Sequence, residues 1–264
     1  MLNATLISSR AAVCIHQEPI PSGTNEMGHF EAFFEHLRAA YGRSDLFEVV
    51  TSDAGVLSEA HCRGLDQLGY GYVVALKDNN PLLELEARGR LQSLAEVEPA
   101  AAADDGWEND SSRGWVKRQL WVSTEIAGWP GWEHLRQVWL VRVWRRRTKD
   151  SPVEHLEDRV YATNLPVGHA LRGQRILTLV RSHWRIENEL HGTLDIQLRE
   201  DDPWWVRRGY GLLNTGLLRA MAYNVLAIAR AVHLRRQRLI GWQQLRDWLR
   251  DALMWWGLLD GDDL

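Results

Sequence analysis

His183, Glu187 and His191 follow one another at intervals of four residues. On an α-helix that spacing gathers the three side chains into one stripe, where imidazoles and a carboxylate can pass a proton or share a cation. The neighbouring apolar residues Ile176, Val180, Trp184, Leu190 and Leu194 also recur at helical spacing, so the pattern predicts a helix with Glu187 on its apolar face. A carboxylate buried there without a partner is costly, and it calls for a metal, a hydrogen-bond donor or a proton.

Three arrangements meet that need. A core helix can satisfy Glu187 with Arg or His neighbours. A zinc or di-metal site can be built on a His-x3-Glu-x3-His helix, although this is neither the His-Glu-x2-His of metalloproteases nor the Glu-x2-His of di-iron bundles. A Mg²⁺-binding carboxylate can work with acids brought from elsewhere in the fold.

The literal string separates these arrangements. HWRIEN, followed by LHGTLD and REDD, strongly resembles the catalytic-glutamate helix of DDE transposases of the IS4 superfamily, and within it the ISAs1-like group. The matching residues are His183, Trp184, Ile186, Glu187, Asn188, Leu190, His191, Leu194, Asp195, Arg199, Glu200 and Asp201. Gly192 stands where that group usually has Trp. The resemblance implies an RNase H-like α/β fold, a mixed sheet flanked by helices, with a β-rich insertion and a helical C-terminal end. It also implies DNA cutting and joining with Mg²⁺ (or Mn²⁺), double-stranded DNA as partner (transposon ends and target), and a homodimer in the transposition complex.

The elements that would position this chemistry are legible upstream. Residues 2–8 and 11–17 read as a hairpin around a turn at Ser8-Ser9-Arg10, and Phe30, Phe33, Phe34 and Leu37 mark one stripe of a helix that starts at Glu26. In the resemblance the hairpin corresponds to the second and third strands of the sheet. Phe47 to Ser52 is a β-prone run ending in Asp53-Ala54-Gly55, before a helix from near Ser58. An Asp at a strand's C-terminal end projects into the crevice where open α/β sheets bind ligands, although a turn or helix-cap role is the commoner one for its type. Tyr70 to Leu76 is a further strand, followed by Lys77-Asp78-Asn79-Asn80-Pro81. Both strand ends resemble those of the ISAs1-like group, with Asn80 in place of Gln. That carries Asp53 over as the second acid of the triad and makes Lys77 a candidate phosphate contact.

Glu84 to Leu94 reads as an amphipathic helix, Glu96 to Ser112 as an exposed acidic linker, and Trp115–Ser123, Gln137–Arg147 and Arg159–Thr163 as strands. The string WPGWEHLRQVWLVR resembles the family's β-strand insertion, which borders bound DNA. This places Arg145, Arg146, Arg147 and Lys149 beside DNA, together with His183, Trp184, Asn188 and His191 near the catalytic glutamate. The organisation expected is a first core part over 1–95, linker and insertion over 96–165, the catalytic-glutamate helix and a following core helix over 166–235, and a helical end over 236–264. The long helix after Pro203-Trp204-Trp205 is read as packing through Leu212, Leu213, Leu217, Met221, Val225 and Leu226.

Composition sets the outer bounds. A chain of 264 residues with two widely spaced cysteines, Cys14 and Cys62, implies neither a disulfide framework nor a zinc ribbon and suits a reducing cytoplasm. The apolar run from Leu212 to Val232 is interrupted by Asn214, Arg219, Asn224 and Arg230, which argues against a membrane span. A net charge of −4 gives nucleic acid no global attraction, so DNA contact must come from local clusters such as Arg142 to Lys149 or Arg235, Arg236 and Arg238. Fourteen Trp residues can stack on bases or fill a core. The Asp-Gly-Lys string that carries the first acid in the family is absent, so the chain reads as an N-terminally truncated transposase of impaired activity. The alternatives are a DNA-binding remnant without catalysis and a metal-dependent hydrolase using His183, Glu187 and His191.

Overall fold

The computed structural model describes residues 1–7, 11–53, 55–77, 80–97, 103–110, 114–184, 186–198, 211–232 and 241–259. They form two compact units, one from Met1–Ser22 with Ser182–Leu264 and the other from Gly23–Arg181. The fold is mixed α/β, with a six-stranded mixed sheet flanked by helices.

The first unit opens with the expected hairpin, β1 (Leu2–Leu6) paired antiparallel with β2 (Val13–Glu18). It forms a two-stranded sheet of its own rather than part of the six-stranded one. The turn expected at residues 8–10 lies outside the described residues.

The second unit begins with α1 (Glu26–Tyr41), whose N-cap Asn25 accepts a hydrogen bond from the Gly28 amide at 2.9 Å. Its Phe30, Phe33, Phe34 and Leu37 are buried, as their spacing predicts. There follow β3 (Val49–Ser52), α2 (Glu59–Gln67) capped by Ser58, β4 (Gly71–Leu76) and α3 (Pro81–Val97). Next come β5 (Ala103–Asp110), β6 (Gly114–Ser123), β7 (Gln137–Arg146) and β8 (His155–Thr163). The sheet order is β3-β4-β8-β7-β6-β5, parallel only between β3 and β4. The block expected as an insertion thus continues the same sheet. The interior of β7 reads as a nearly unbroken apolar run because both of its faces are covered from Val138 to Val141. On one face Trp139, Val141, Val143, Tyr161 and Val73 meet Ile176, Leu177 and Val180 of α4 (Gln174–His183), and α3 packs against the sheet through Leu83, Ala87 and Leu91.

The linker expected over 96–112 is corrected at Ala103–Asp110 by β5, an edge strand in the acidic stretch DDGWEND, while residues 98–102 and 111–112 lie outside the described residues. Low β-propensity hides it in the sequence, and side chains fix it in place. Asp104 accepts from the Gly106 amide at 2.7 Å, from Gln119 Nε2 at 2.9 Å and from Lys117 Nζ at 3.0 Å, while Gly106 takes φ +67° where the register shifts. A bulged, acidic edge is a poor template for further strand pairing.

After α4 the first unit resumes with a π-helical segment (Ile186–His191), α5 (Gly192–Leu198), α6 (Gly211–Val232) and α7 (Trp242–Leu259). Cys14, Leu190, Leu194, Ala220, Tyr223 and Ala227 form its core. Helix α6 fastens the hairpin by standing in for a neighbouring strand. The Cys14 amide donates to Asn224 Oδ1 at 2.8 Å, Asn224 Nδ2 donates to the Cys14 carbonyl at 2.7 Å, and the Tyr223 hydroxyl donates to the Ala12 carbonyl at 2.8 Å. Asn224→Leu removes both of these hydrogen bonds to the Cys14 backbone and is expected to destabilise this unit by about 2 kcal/mol, measurable by urea denaturation. The face read from sequence on α6 is also corrected. Leu226 is buried, whereas Leu217, Met221 and Val225 are exposed, because the helix turns its small residues and Tyr223 toward β2.

Candidate functional site

Asp53 directly follows β3, and Lys77 directly follows β4. The two strands are parallel with Ser52 opposite Val74, so both residues emerge at the same end of the sheet. Strand alternation puts Val49, Thr51 and Asp53 on the face that carries Val73 and Ala75, and this is the face α4 covers. Asp53 is half-buried there and Lys77 is exposed.

Across the sheet on that face stands Tyr161, paired with Ala75. Burial pushes its hydroxyl up to about 12; Arg159 pulls it down, and the charges of Glu157 and Asp53 push it up. The charge of Asp53 is therefore felt at Tyr161, which shares its row on β8 with Glu157 and Arg159. Arg159 Nε lies 2.6 Å from Glu157 Oε1, and Arg145 Nη2 lies 3.2 Å from Glu157 Oε2. The sequence reading missed Arg159 and Tyr161. Their alternation with Glu157 in HLEDRVYAT was the available signal, since residues two apart share a strand face.

Burial alone would raise the Glu157 carboxyl, but the hydrogen bond and charge of Arg159, and then Arg145 and His155, hold it below its ordinary 4.5. A depressed carboxylate contributes stability above its ordinary pKa and loses that contribution as pH falls through the folded-state value. The stability of wild type over Glu157→Gln should therefore be present at pH 7 and shrink steadily as pH drops below about 4.5, followed by urea denaturation at several pH values.

The basic cluster does not form one patch. Strand alternation sends Arg145 to the Asp53 face and Arg146 to the opposite one, where its guanidinium sits 3.9 Å from the Trp107 ring centroid. Arg142, also on the opposite face, is held by Asp158 at 2.7 and 2.8 Å. Arg147 and Lys149 are exposed past the end of β7. Residues 235, 236 and 238 lie outside the described residues.

Glu187 is corrected in its surroundings. The single helical face expected from Ile176 to Leu194 is broken between α4 and α5 by the π-helical segment, whose hydrogen bonds reach five residues back rather than four. Ile176 and Val180 enter the core of one unit, and Leu190 and Leu194 enter that of the other. Glu187 and His191 are exposed, so Glu187 needs no buried partner; His183 is half-buried, 5.9 Å from Trp184 between ring centroids. Among the described residues no three His, Cys, Asp or Glu side chains are grouped to hold a metal, so His183, Glu187 and His191 do not form such a group. Asp53 belongs to one unit and Glu187 to the other. The Asn188 side chain and residues 199–201 lie outside what is described.

No protein-family model matches the sequence. Over 189 residues, 68% of this chain, it is 24% identical to the protein YbfL of Escherichia coli (strain K12). The alignment covers 47% of YbfL, so the chain spans about half the length of that relative. Over a shorter stretch of 56 residues it is 38% identical to the "H repeat-associated putative transposase YhhI" of the same organism, covering 21% of this chain and 15% of YhhI. Part of the chain is thus similar to a protein named as a transposase.

Proposed function

We propose that the chain acts in DNA transposition as a DDE-type transposase of the ISAs1-like group, with Asp53 and Glu187 as two of its metal-binding carboxylates. The observation that carries this reading is Asp53. It closes the first of two parallel strands, at the sheet end where α/β folds bind ligands, on the face covered by the helix that runs on in sequence toward Glu187. The stretch similar to a transposase-named relative supports it. So does a π-helical segment at Glu187, since such irregularities concentrate at functional sites.

Carboxylate oxygens are the donors that Mg²⁺ or Mn²⁺ prefers, so the donor chemistry of the pair fits, and Asp53 and Glu187 would hold the ion. The bound ion would supply charge stabilisation for displacement at phosphorus. Lys77, at the same sheet end as Asp53, and Arg145, on the same face, would bind the phosphate backbone, with Arg146, Arg147, Lys149, His183, Trp184, Asn188 and His191 as further DNA contacts.

The test is incubation of the chain with duplex DNA carrying the element's ends, with Mg²⁺ and with chelator. Mg²⁺-dependent nicking or joining is expected. Salt-sensitive binding without cleavage would mark a DNA-binding remnant, and absence of both would overturn the proposal.

None of the described helices is long and apolar enough to cross a membrane.

A further inference from the structure

We propose that β5 is an autoinhibitory strap: an acidic strand that occupies cations of its own sheet and gives them up when a polyanion competes for them. Ala103–Asp110 carries four acids, Asp104, Asp105, Glu108 and Asp110, and no cation. The next two strands of the sheet are the reverse, with Lys117 and Arg118 in β6, Arg142, Arg145 and Arg146 in β7, and no acid in either. Side chains of β5 reach three cations on three different elements. Asp104 Oδ2 lies 3.0 Å from Lys117 Nζ, Glu108 Oε2 lies 2.7 Å from Arg181 Nη2 of α4, and the Arg146 guanidinium sits 3.9 Å from the Trp107 ring centroid. Trp107 pairs with Lys117 and Glu108 with Val116, so these two neighbours face opposite ways and the strap holds cations on both faces of the sheet.

Acids on β8 also pair with cations of β7, Asp158 with Arg142 and Glu157 with Arg145. Those acids are fixed, because β8 is hydrogen-bonded to β4 on one side and to β7 on the other. Strand β5 has β6 alone, its register shifts between Asp104 and Trp107, and its composition favours a strand poorly. Its ion pairs are also open to water: the side chains of Glu108 and Arg181 are each 41% exposed. Exposed pairs contribute little and are screened by salt, so a ligand with densely spaced phosphates competes with them on favourable terms. The strap is thus held firmly enough to cover Lys117, Arg146 and Arg181 in the free chain and weakly enough to yield. Duplex DNA is the polyanion concerned. This regulation rests on the chain acting on DNA, as proposed above, but not on its cutting it.

The test is the affinity of the full chain for a fluorescently labelled duplex of random sequence, read by anisotropy. Asp104→Asn/Glu108→Gln should bind about 10-fold more tightly than wild type, the effect of removing two exposed ion pairs that DNA must otherwise break. The first substitution keeps an acceptor for the Gly106 amide, so the bend inside β5 survives. Glu26→Gln/Glu31→Gln removes the same charge from exposed positions of α1 and should change affinity far less. With Lys117→Gln/Arg181→Gln already present, the β5 substitutions should add no more than the α1 pair does, because the cations they release are gone. Hydrogen exchange should show the β5 amides of the wild type exchanging faster once DNA is added. Equal affinity of wild type and β5 variant, a gain no larger than that of the α1 pair, or β5 amides protected by DNA would overturn the strap and leave the transposase reading in place. A 10-fold gain in a chain that binds duplex without cutting it would keep the strap and end the catalytic reading. No duplex bound by either protein would overturn both.

Discussion

Asp53→Asn and Glu187→Gln are each expected to weaken Mn²⁺ binding by at least about 100-fold, since losing an outer-shell partner alone costs 10–100-fold and these groups would touch the ion. Both substitutions keep side-chain size and remove the charge. Asp53 is half-buried and Glu187 exposed, so neither change opens a cavity, and melting temperature should hardly move. Calorimetric titration of Mn²⁺ into the three proteins decides the matter without reference to catalysis. Equal binding by wild type and both variants would remove these acids from any metal site. Loss in only one of them would leave a site built on that carboxylate alone.

Trp139→Ala is expected to cost about 3–5 kcal/mol, the range for emptying a buried aromatic site. Trp139 is fully buried beneath α4, among Tyr161, Val141, Ile176 and Leu177. Its indole N–H donates to Gln137 Oε1 at 3.2 Å, and Gln137 Nε2 donates to the Leu165 carbonyl at 2.7 Å, so the loss spreads to the segment entering α4. Urea denaturation measures it, and Trp139→Phe should recover much of the loss by refilling the volume. Because Tyr161 shares this cluster and feels Asp53, the cavity should also disturb the candidate site; a variant with full stability would show that α4 is not anchored there.

The sequence made most element positions legible where one physical signal dominated. The Phe stripe of α1 is buried, Ser58 caps α2, and the runs at 47–52 and 70–76 are strands with Asp53 at the end of the first. Edge strand β5 escaped because its acidic composition reads as loop, and its stability comes from Lys117 and Gln119, ten and more residues downstream. Glu187 was misplaced because a helical wheel assumes one pitch. A π-helical segment changes the pitch without leaving a compositional trace, so counting by fours across it puts the wrong side chains together. The five cations from Arg142 to Lys149 look like a cluster along the chain, but a strand sends adjacent residues to opposite faces. On α6 the reading chose one apolar face where the helix has two.

The bond between Cys14 and Asn224 spans 210 positions of the chain. During synthesis the hairpin emerges before Gly23–Arg181, and the amide that seals its edge leaves the ribosome only after all of that unit has been made. The hairpin must then wait for α6, while the intervening unit has time to complete itself. Such late closure over a long loop is slow, and it gives chaperones an open strand to shield during translation.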